Sequence, residues 1–461
     1  MEMNLTYQEA LAWIHSLGRF GIKPGLERMT ALLEMLDHPQ HKVPFVHIAG
    51  TNGKGSTAAM LASMLRSSGY RIGLYTSPYL LSFTNRMAVN GSDIQEEELV
   101  ELVATVKPLV EKIKSDPALG HPTEFEVVTG LALTYFASVG VDLVVLEVGL
   151  GGRLDATNVV DPLLSIITNI SLEHTAVLGD TIEKIAFEKA GIIKQGKPLL
   201  TAAEDQQALN VFAQRCAELN CEMYRVYPPL EKIEAILPHR PLAVLKEIST
   251  GGQYFDYFGF KQQLQDLFIG LRGRYQIINA TTALAALELL IAQGFTIDLK
   301  EAKKGLAKTV WPGRLELLQS EPLVIMDGAH NPAAIEKLSE AIPDYFHFTR
   351  LILVIGILAD KDVEAMLVKI LPLADLIIFT KPTISRAAEP GNVADFARTR
   401  LGLRKEHLVV RDYRAALDRA LDLAGPEDAV LVTGSLYTVS DIRAYYCERY
   451  QLPSGSSDYQ Q

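Results

Sequence analysis

Short apolar runs alternate with helically patterned stretches along nearly the whole chain, the rhythm of strands joined by crossover helices in parallel sheets. Val43–Ile48, Ile72–Thr76, Asp142–Val148, Leu163–Asn169 and Pro198–Thr201 predict the strands of a first sheet. Pro322–Met326, Arg350–Ile355, Leu376–Thr380 and Asp428–Val432 predict a second. Between them, residues 224–267 include the glycine-punctuated aromatic run Gln253-Tyr254-Phe255-Asp256-Tyr257, which predicts short antiparallel strands. The alanine- and leucine-rich stretch Asn279–Gln293 predicts a buried helix. Trp311-Pro312-Gly313 stops the preceding helical pattern just before a new strand pattern begins, and so marks a hinge.

Bulk properties narrow the classes. A chain of 461 residues exceeds what one core normally serves, so two domains are expected. The formal net charge of −11 opposes a general role in binding nucleic acid or anionic membranes, while leaving room for a local basic pocket. The longest wholly apolar runs, such as Leu351–Ile355, are too short to span a bilayer. The opening Met1-Glu2-Met3-Asn4-Leu5 lacks a basic region followed by an apolar stretch, so a cytoplasmic address is expected. Cys216, Cys221 and Cys447 have no C-x-x-C spacing and read as structural thiols.

The most informative segment is Gly50-Thr51-Asn52-Gly53-Lys54-Gly55-Ser56, which follows one predicted strand and opens a predicted helix over Thr57–Ser68. Glycines let the backbone approach a phosphate, a helix N-terminus presents amides and partial positive charge, and Lys54 adds a full charge. The spacing departs from G-x-x-x-x-G-K-[ST], because two residues separate Gly50 from Gly53 and Gly55 precedes Ser56. A glycine-rich structural turn is the plainer alternative; the flanking strand and helix favour the phosphate cradle. These patterns together predict an α/β chain. A P-loop-type, mostly parallel ATPase domain spans residues 1–312, a smaller Rossmann-like α/β domain spans 313–453, and 454–461 form a frayed tail.

Ligands of parallel α/β sheets collect beyond the carboxyl ends of the strands. Ser77, Glu147 and His174 fall at such ends in the first half. Each has an ordinary reading: Ser77 or His174 as a helix cap, Glu147 as a partner of Arg153. Together beside the phosphate loop they form a hydroxyl, carboxylate and imidazole set suited to a divalent metal carrying nucleotide phosphates, magnesium being the simplest choice. Lys189 lies on an apolar stripe with Ile182, Ile185, Ala186, Ala190 and Ile193. It either snorkels to water past the helix end or is desolvated toward a neutral amine, which can react with carbon dioxide to form a carbamate and so become an anionic metal ligand.

In the second half Asp327-Gly328-Ala329-His330-Asn331-Pro332 leaves a strand and enters a helix, making Asp327 and His330 candidate ligand contacts. A turn-forming Asp327 and a helix start at Asn331-Pro332 explain the same residues without function. Gly356–Asp362 and Gly434-Ser435 occupy equivalent strand ends, so the expectation is a cleft site facing the first domain. The chain contains no G-x-S-x-G elbow, no H-E-x-x-H helix and no interleaved basic and aromatic run for nucleic acid.

With these segments in place the chain resembles folylpolyglutamate synthase, including bacterial forms that also act as dihydrofolate synthase, within the Mur ligase superfamily. The resemblance covers almost the whole chain. It rests on His47–Ser56, Thr76-Ser77-Pro78, Leu146–Asn158, Glu188–Ile192, Trp311–Arg314, Asp327–Pro332 and Asp360–Asp362. It implies an ATP-dependent amide ligase that adds L-glutamate to a folate carboxylate through an acyl phosphate. The expected partners are small molecules only (ATP, folate and glutamate), with no nucleic acid and no membrane; two magnesium ions and a monovalent cation are the expected cofactors, and a monomer is expected. By the same resemblance Thr51, Asn52, Gly53, Lys54, Gly55, Ser56, Asn279, Arg314 and Asp327 contact ATP. Ser77, Glu147, His174 and carbamylated Lys189 hold metal, and Lys54, Lys189 and His330 are catalytic. His330 and Ser435 are implied on the glutamate side. Thr123, Phe125 and Asp155 are implied contacts of the pterin, and the stretch from Phe20 to Arg28 an adjacent substrate loop.

The chain departs from the expected pattern at Tyr79, Asn85, Glu173 and Tyr275, none of them a proposed metal ligand. A monofunctional folylpolyglutamate synthase remains an alternative, since acceptance of dihydropteroate is not readable here. A cell-wall ligase of the superfamily fits poorly, because only 49 residues precede Gly50. A binding protein without chemistry is disfavoured by Glu147, His174 and Lys189.

Overall fold

The computed structural model describes residues 5–20, 24–231 and 240–452. The expected tail at 454–461, and residues 21–23 of the expected substrate loop, lie outside the described residues. The chain divides into two compact units. The first comprises Met1–Leu245, Phe255–Leu267 and Ile277–Thr309, and the second Lys246–Tyr254, Phe268–Gln276 and Val310–Gln461.

The first unit holds an eight-stranded sheet of β1 (Phe45–Ala49), β2 (Ile72–Tyr75), β3 (Met87–Val89), β4 (Ser92–Asp93), β5 (Leu143–Glu147), β6 (Leu164–Ile167), β7 (Leu199–Thr201) and β8 (Met223–Arg225). Their order is β4-β3-β2-β5-β1-β6-β7-β8. All neighbours pair in parallel except β2 with β3 and β3 with β4. The five predicted strands are present with bounds shifted by one or two residues, the first starting at Phe45 and running on to Ala49. Periodicity did not reveal the antiparallel edge hairpin. Its signal was Asn90-Gly91, which supplies two positive φ angles (53° and 80°) between β3 and β4, as a two-residue hairpin turn requires. β1 is buried along its whole length at the middle of the sheet, so its apolar residues satisfy both faces.

Three further strands, β9 (Leu242–Ser249), β10 (Gly252–Phe258) and β11 (Gln263–Ile269), form a separate sheet where the glycine-punctuated aromatic run predicted strands. The predicted helix after it begins four residues early, at Tyr275, and runs to Ala292. This helix is long and apolar enough to cross a membrane, but 78% of that window is buried inside the protein, where it serves as a core helix.

The second unit contains β12 (Glu316–Ser320), β13 (Leu323–Met326), β14 (Leu351–Ile355), β15 (Leu376–Phe379), β16 (Glu406–Val409) and β17 (Ala429–Thr433). They are ordered β12-β13-β17-β14-β15-β16, with only the β12–β13 pair antiparallel. The two strands absent from the sequence prediction, β12 and β16, are the sheet's edges, whose polar positions break the apolar runs by which strands were recognised.

Candidate active site

The glycine-rich loop joins the central strand β1 to the helix Lys54–Ser67, whose N-cap Gly53 has φ 85°. A Cβ at Gly53 would lie 2.4 Å from Asn279 Oδ1, so the loop closes against the core helix only without a side chain there. Residues after β6 fix the loop from the other side. Thr51 N–H donates to the Asn169 carbonyl at 2.9 Å, Asn52 N–H to Asn169 Oδ1 at 2.8 Å, and Thr168 Oγ1 to the Asn52 carbonyl at 2.7 Å. Thr168 and Asn169 are supports that sequence reasoning missed; their signal was polarity at the end of an apolar strand. Thr51 and Ser56 are buried, while Asn52, Gly53, Lys54 and Gly55 are half-buried. Lys54 Nζ donates to the carbonyls of Gly50 and Thr51 at 2.9 and 3.1 Å.

Lys189 does not snorkel. It is 5% exposed, and its Nζ donates to the Gly50 carbonyl at 2.9 Å, the oxygen that Lys54 also engages. Burial above all, then the charge of Lys54, pushes its amine down to about 7, against smaller opposing pulls from Glu173 and Asp155. The result is an amine largely neutral just above neutrality and within reach of the phosphate loop.

Ser77 and Glu147 come together at the ends of adjacent strands β2 and β5, the Ser77 N–H donating to Glu147 Oε2 at 3.2 Å. The carboxylate is buried and does not pair with Arg153, which instead binds Glu188 at 2.9 Å. A hydroxyl beside a carboxylate is an oxygen-donor pair that fits magnesium. His174 stands more exposed, at the N-cap position of the one-turn helix Thr175–Leu178 with φ 50°, its Nε2 3.7 Å from Glu173 Oε1. Among the described residues no three His, Cys, Asp or Glu side chains group to hold a metal. Only Glu147 and His174 of the expected set are of these types, so that set depends on Ser77 and a carbamate for its remaining donors.

Thr123, Phe125 and Asp155 gather at one place. Thr123 caps the helix Glu124–Val139 reciprocally with Glu126, and Phe125 packs where a Cβ on Gly149 would lie 2.4 Å from its ring. Asp155 holds the glycine-rich loop after β5 by accepting from Leu150 N–H at 2.8 Å, Thr157 N–H at 3.0 Å and Thr157 Oγ1 at 2.5 Å. Burial raises its pKa against these hydrogen bonds. Behind Thr157 lies His47, fully buried, with Nε2 2.8 Å from Thr157 Oγ1 and burial pushing its pKa down to about 3. His47 was missed as a supporting residue, although a lone polar side chain inside the apolar run before the loop was its signal. Arg28 is clamped by Glu126 through contacts of 2.9 to 3.1 Å.

In the second unit Arg314, Asp327, His330 and Ser435 gather near the carboxyl ends of β13 and β17. Asp327 is buried and accepts from Leu315 and Ala329 N–H groups, both at 2.8 Å; burial raises its pKa while Arg314 opposes the rise. A Cβ on Gly328 would meet both Leu436 and Arg314 Nη1, which places these residues side by side. His330 Nδ1 lies 2.9 Å from the Gly328 carbonyl. Ser435 is buried, its hydroxyl capping the helix Leu436–Arg449 through the Thr438 N–H at 3.0 Å.

A phosphate-binding loop after a central parallel strand, with a buried amine and an oxygen-donor pair beside it, defines a nucleotide-dependent α/β enzyme of P-loop type. The Mur ligase middle domain matches residues 48–287, and the Mur ligase glutamate ligase domain matches residues 313–436. Dihydrofolate synthase/folylpolyglutamate synthase of Bacillus subtilis is 39% identical over 96% of this chain and 99% of its own length. Folylpolyglutamate synthase of Lacticaseibacillus casei is 34% identical over 95% and 98%. Among solved structures, Mycobacterium tuberculosis folylpolyglutamate synthase complexed with ADP and AMPPCP superposes with a TM-score of 0.87 at 31% identity, covering 95% of this chain and 99% of that one. E. coli FolC in complex with DHPP and ADP gives 0.83 at 30% identity, covering 96% and 98%. The chain belongs to the dihydrofolate synthase/folylpolyglutamate synthase family of Mur ligases.

Proposed function

We infer that this protein is an ATP-dependent ligase that joins L-glutamate to the terminal carboxylate of a folate. The observation that carries the reading is the buried Lys189 amine on the Gly50 carbonyl of the phosphate loop. A carboxylate oxygen is a poor leaving group, so ATP first transfers its γ-phosphoryl group to it, releasing ADP. The glutamate amine then attacks the acyl carbon and loses a proton, and the tetrahedral adduct collapses to amide and phosphate.

The amides and glycines of residues 51–55 hold the nucleotide phosphates, and Lys54 neutralises charge that develops as the phosphoryl group moves. Asn279, packed against Gly53, fixes the loop and contacts ATP. Ser77, Glu147, His174 and a carbamate on Lys189 would hold magnesium, which supplies positive charge to the phosphates during transfer. For the second unit, we assign Arg314 and Asp327 to ATP and His330 and Ser435 to glutamate. Thr123, Phe125 and Asp155, gathered around the loop after β5, are assigned to the pterin, which favours acceptance of dihydropteroate as a second substrate. Cytoplasmic location and a monomeric state belong to the same reading.

The test is magnesium-dependent ADP release with ATP and glutamate, comparing tetrahydrofolate with dihydropteroate and weighing the products by mass spectrometry. Activity on both acceptors is expected. Activity on tetrahydrofolate alone removes the dihydrofolate synthase assignment, and ADP release independent of any acceptor overturns the ligase.

A further inference from the structure

Arg86 ends the 3-10 turn Phe83–Arg86, and its carbonyl accepts from the Thr76 N–H at 3.2 Å, which places it across from the residue preceding Ser77. Its guanidinium carbon lies 5.2 Å from the centroid of the Tyr79 ring and 5.6 Å from that of Phe83. The group also sits beside the phenol of Tyr75, a fully buried residue whose ring is 6.3 Å from that of Phe125. The Arg86 backbone thus lies beside the residue that precedes Ser77, and its guanidinium lies beside Tyr75, which adjoins Phe125.

Two features are not explained by packing. The Nε of Arg86 is buried with no hydrogen-bond partner. Among the described residues no carboxylate pairs with this guanidinium, whereas Arg28 and Arg153 of the same unit are neutralised by Glu126 and Glu188. A half-buried cation with an orphaned donor is costly to maintain unless a ligand supplies the anion. The Tyr79 and Phe83 rings border the guanidinium and the Tyr75 hydroxyl takes part of its donor capacity; the donors that remain suit a carboxylate.

We propose that Arg86 binds and orients the acceptor carboxylate, which in the shortest acceptor is the aryl carboxylate of a pteroate. The inference rests on the ligase reading above and adds to it the residue that recognises the acid. Tyr79 and Phe83 pack against the guanidinium, and the carboxylate it binds is presented toward the strand end that carries Ser77. Recognition is by charge and shape together, so a neutral amide in place of the acid loses the interaction.

The experiment measures, on the full chain with ADP and magnesium, the dissociation constants of dihydropteroate and of its carboxamide. The native protein should bind the acid about 10- to 100-fold more tightly than the amide, and Arg86→Gln should bring that ratio close to one with ADP affinity and melting temperature unchanged. An unchanged ratio in folded Arg86→Gln overturns the proposal while leaving the ligase reading intact. Arg86→Lys keeps the charge without the planar fork and serves where Arg86→Gln does not fold; it should lower the ratio several-fold, and an unchanged ratio again overturns the proposal. Native protein that binds neither compound overturns the ligase reading, and the proposal with it.

Discussion

Lys189 and Gly50, 139 residues apart in sequence, are joined by a 2.9 Å hydrogen bond from the lysine Nζ to the glycine carbonyl. Lys54 Nζ contacts the same oxygen at 2.9 Å, so two lysines converge on one acceptor. Both cannot carry full charge there cheaply, and the more buried Lys189 yields, its pKa falling from 10.5 to about 7. The unfolded chain keeps this proton up to about 10.5, so between 7 and 10.5 the unfolded state binds more protons and stability rises with pH. Lys189→Met should flatten that rise, as read by denaturant unfolding across the window. The same variant should lose at least about 100-fold in ligase turnover, the scale of losing a group that stabilises developing charge. Native mass spectrometry should find added carbon dioxide on the unsubstituted protein, because the neutral amine is the form that reacts. Turnover at the native level in Lys189→Met would remove Lys189 from the site.

Arg153, the partner first considered for Glu147, is engaged with Glu188 instead. The Glu147 carboxylate, set beside Ser77 at the ends of adjacent strands, should matter for metal-dependent chemistry more than for folding. Glu147→Gln keeps an oxygen to accept from Ser77 N–H but removes the charge. Magnesium-dependent ADP release should fall by about 100-fold or more while nucleotide affinity changes little. A proportionate loss of ATP affinity and turnover would instead mark Glu147 as a scaffold residue.

Gly53→Ala tests the loop. Its φ of 85° disfavours an alanine, and the new Cβ would stand 2.4 Å from Asn279 Oδ1. Strain of about 1–2 kcal/mol from the backbone alone should appear as a lowered melting temperature. KM for ATP should rise with it, since the amides move. Asn279→Ala combined with Gly53→Ala should recover part of the loss by removing the collision but not the φ strain.

Much of this arrangement was legible in the chain. Continuous apolar runs revealed the buried parallel strands, because a strand covered on both faces must be apolar throughout. The edges were less legible: β3 and β4 are short, and β12 and β16 mix polar with apolar positions. The chemistry of Lys189 was visible as a cation on an apolar stripe, but its hydrogen bond to Gly50 was not, because helical periodicity carries no information about the loop a helix faces. Residues that act through others were hardest to find. Thr168 and Asn169 support the phosphate loop through backbone contacts, and nothing in their spacing names the loop as partner. Arg86 carries no signal in the sequence beyond its place next to Asn85; its ring contacts and missing counter-ion exist only in three dimensions.

His47 gives an acid-side prediction. Burial holds its imidazole neutral down to about 3, while the unfolded chain protonates near 6.5. As pH falls through that window the unfolded state gains a proton that the native state refuses, so stability drops, by up to a few kcal/mol. His47→Gln cannot titrate but can still donate to Thr157, and its unfolding free energy should depend less on pH between about 6 and 4. An unchanged slope would show that other groups set the acid sensitivity.

In the second unit Arg443 is fully buried and clamps Glu316 through contacts of 2.8 to 3.1 Å. Glu316 Oε2 also accepts from the Gly313 N–H at 2.8 Å, so the ion pair anchors the turn that carries Arg314. Removing one partner leaves a buried charge uncompensated, at a cost of about 3–5 kcal/mol. Arg443→Met should show that loss in denaturant unfolding. Replacing both partners, as Arg443→Met with Glu316→Leu, should recover much of the stability because no orphaned charge remains. The Gly313 N–H would still lack its acceptor, so the turn should stay displaced. With Arg314 assigned to ATP, the double variant should therefore be stable yet retain a raised KM for ATP; a native KM would show that Arg314 does not depend on this anchor.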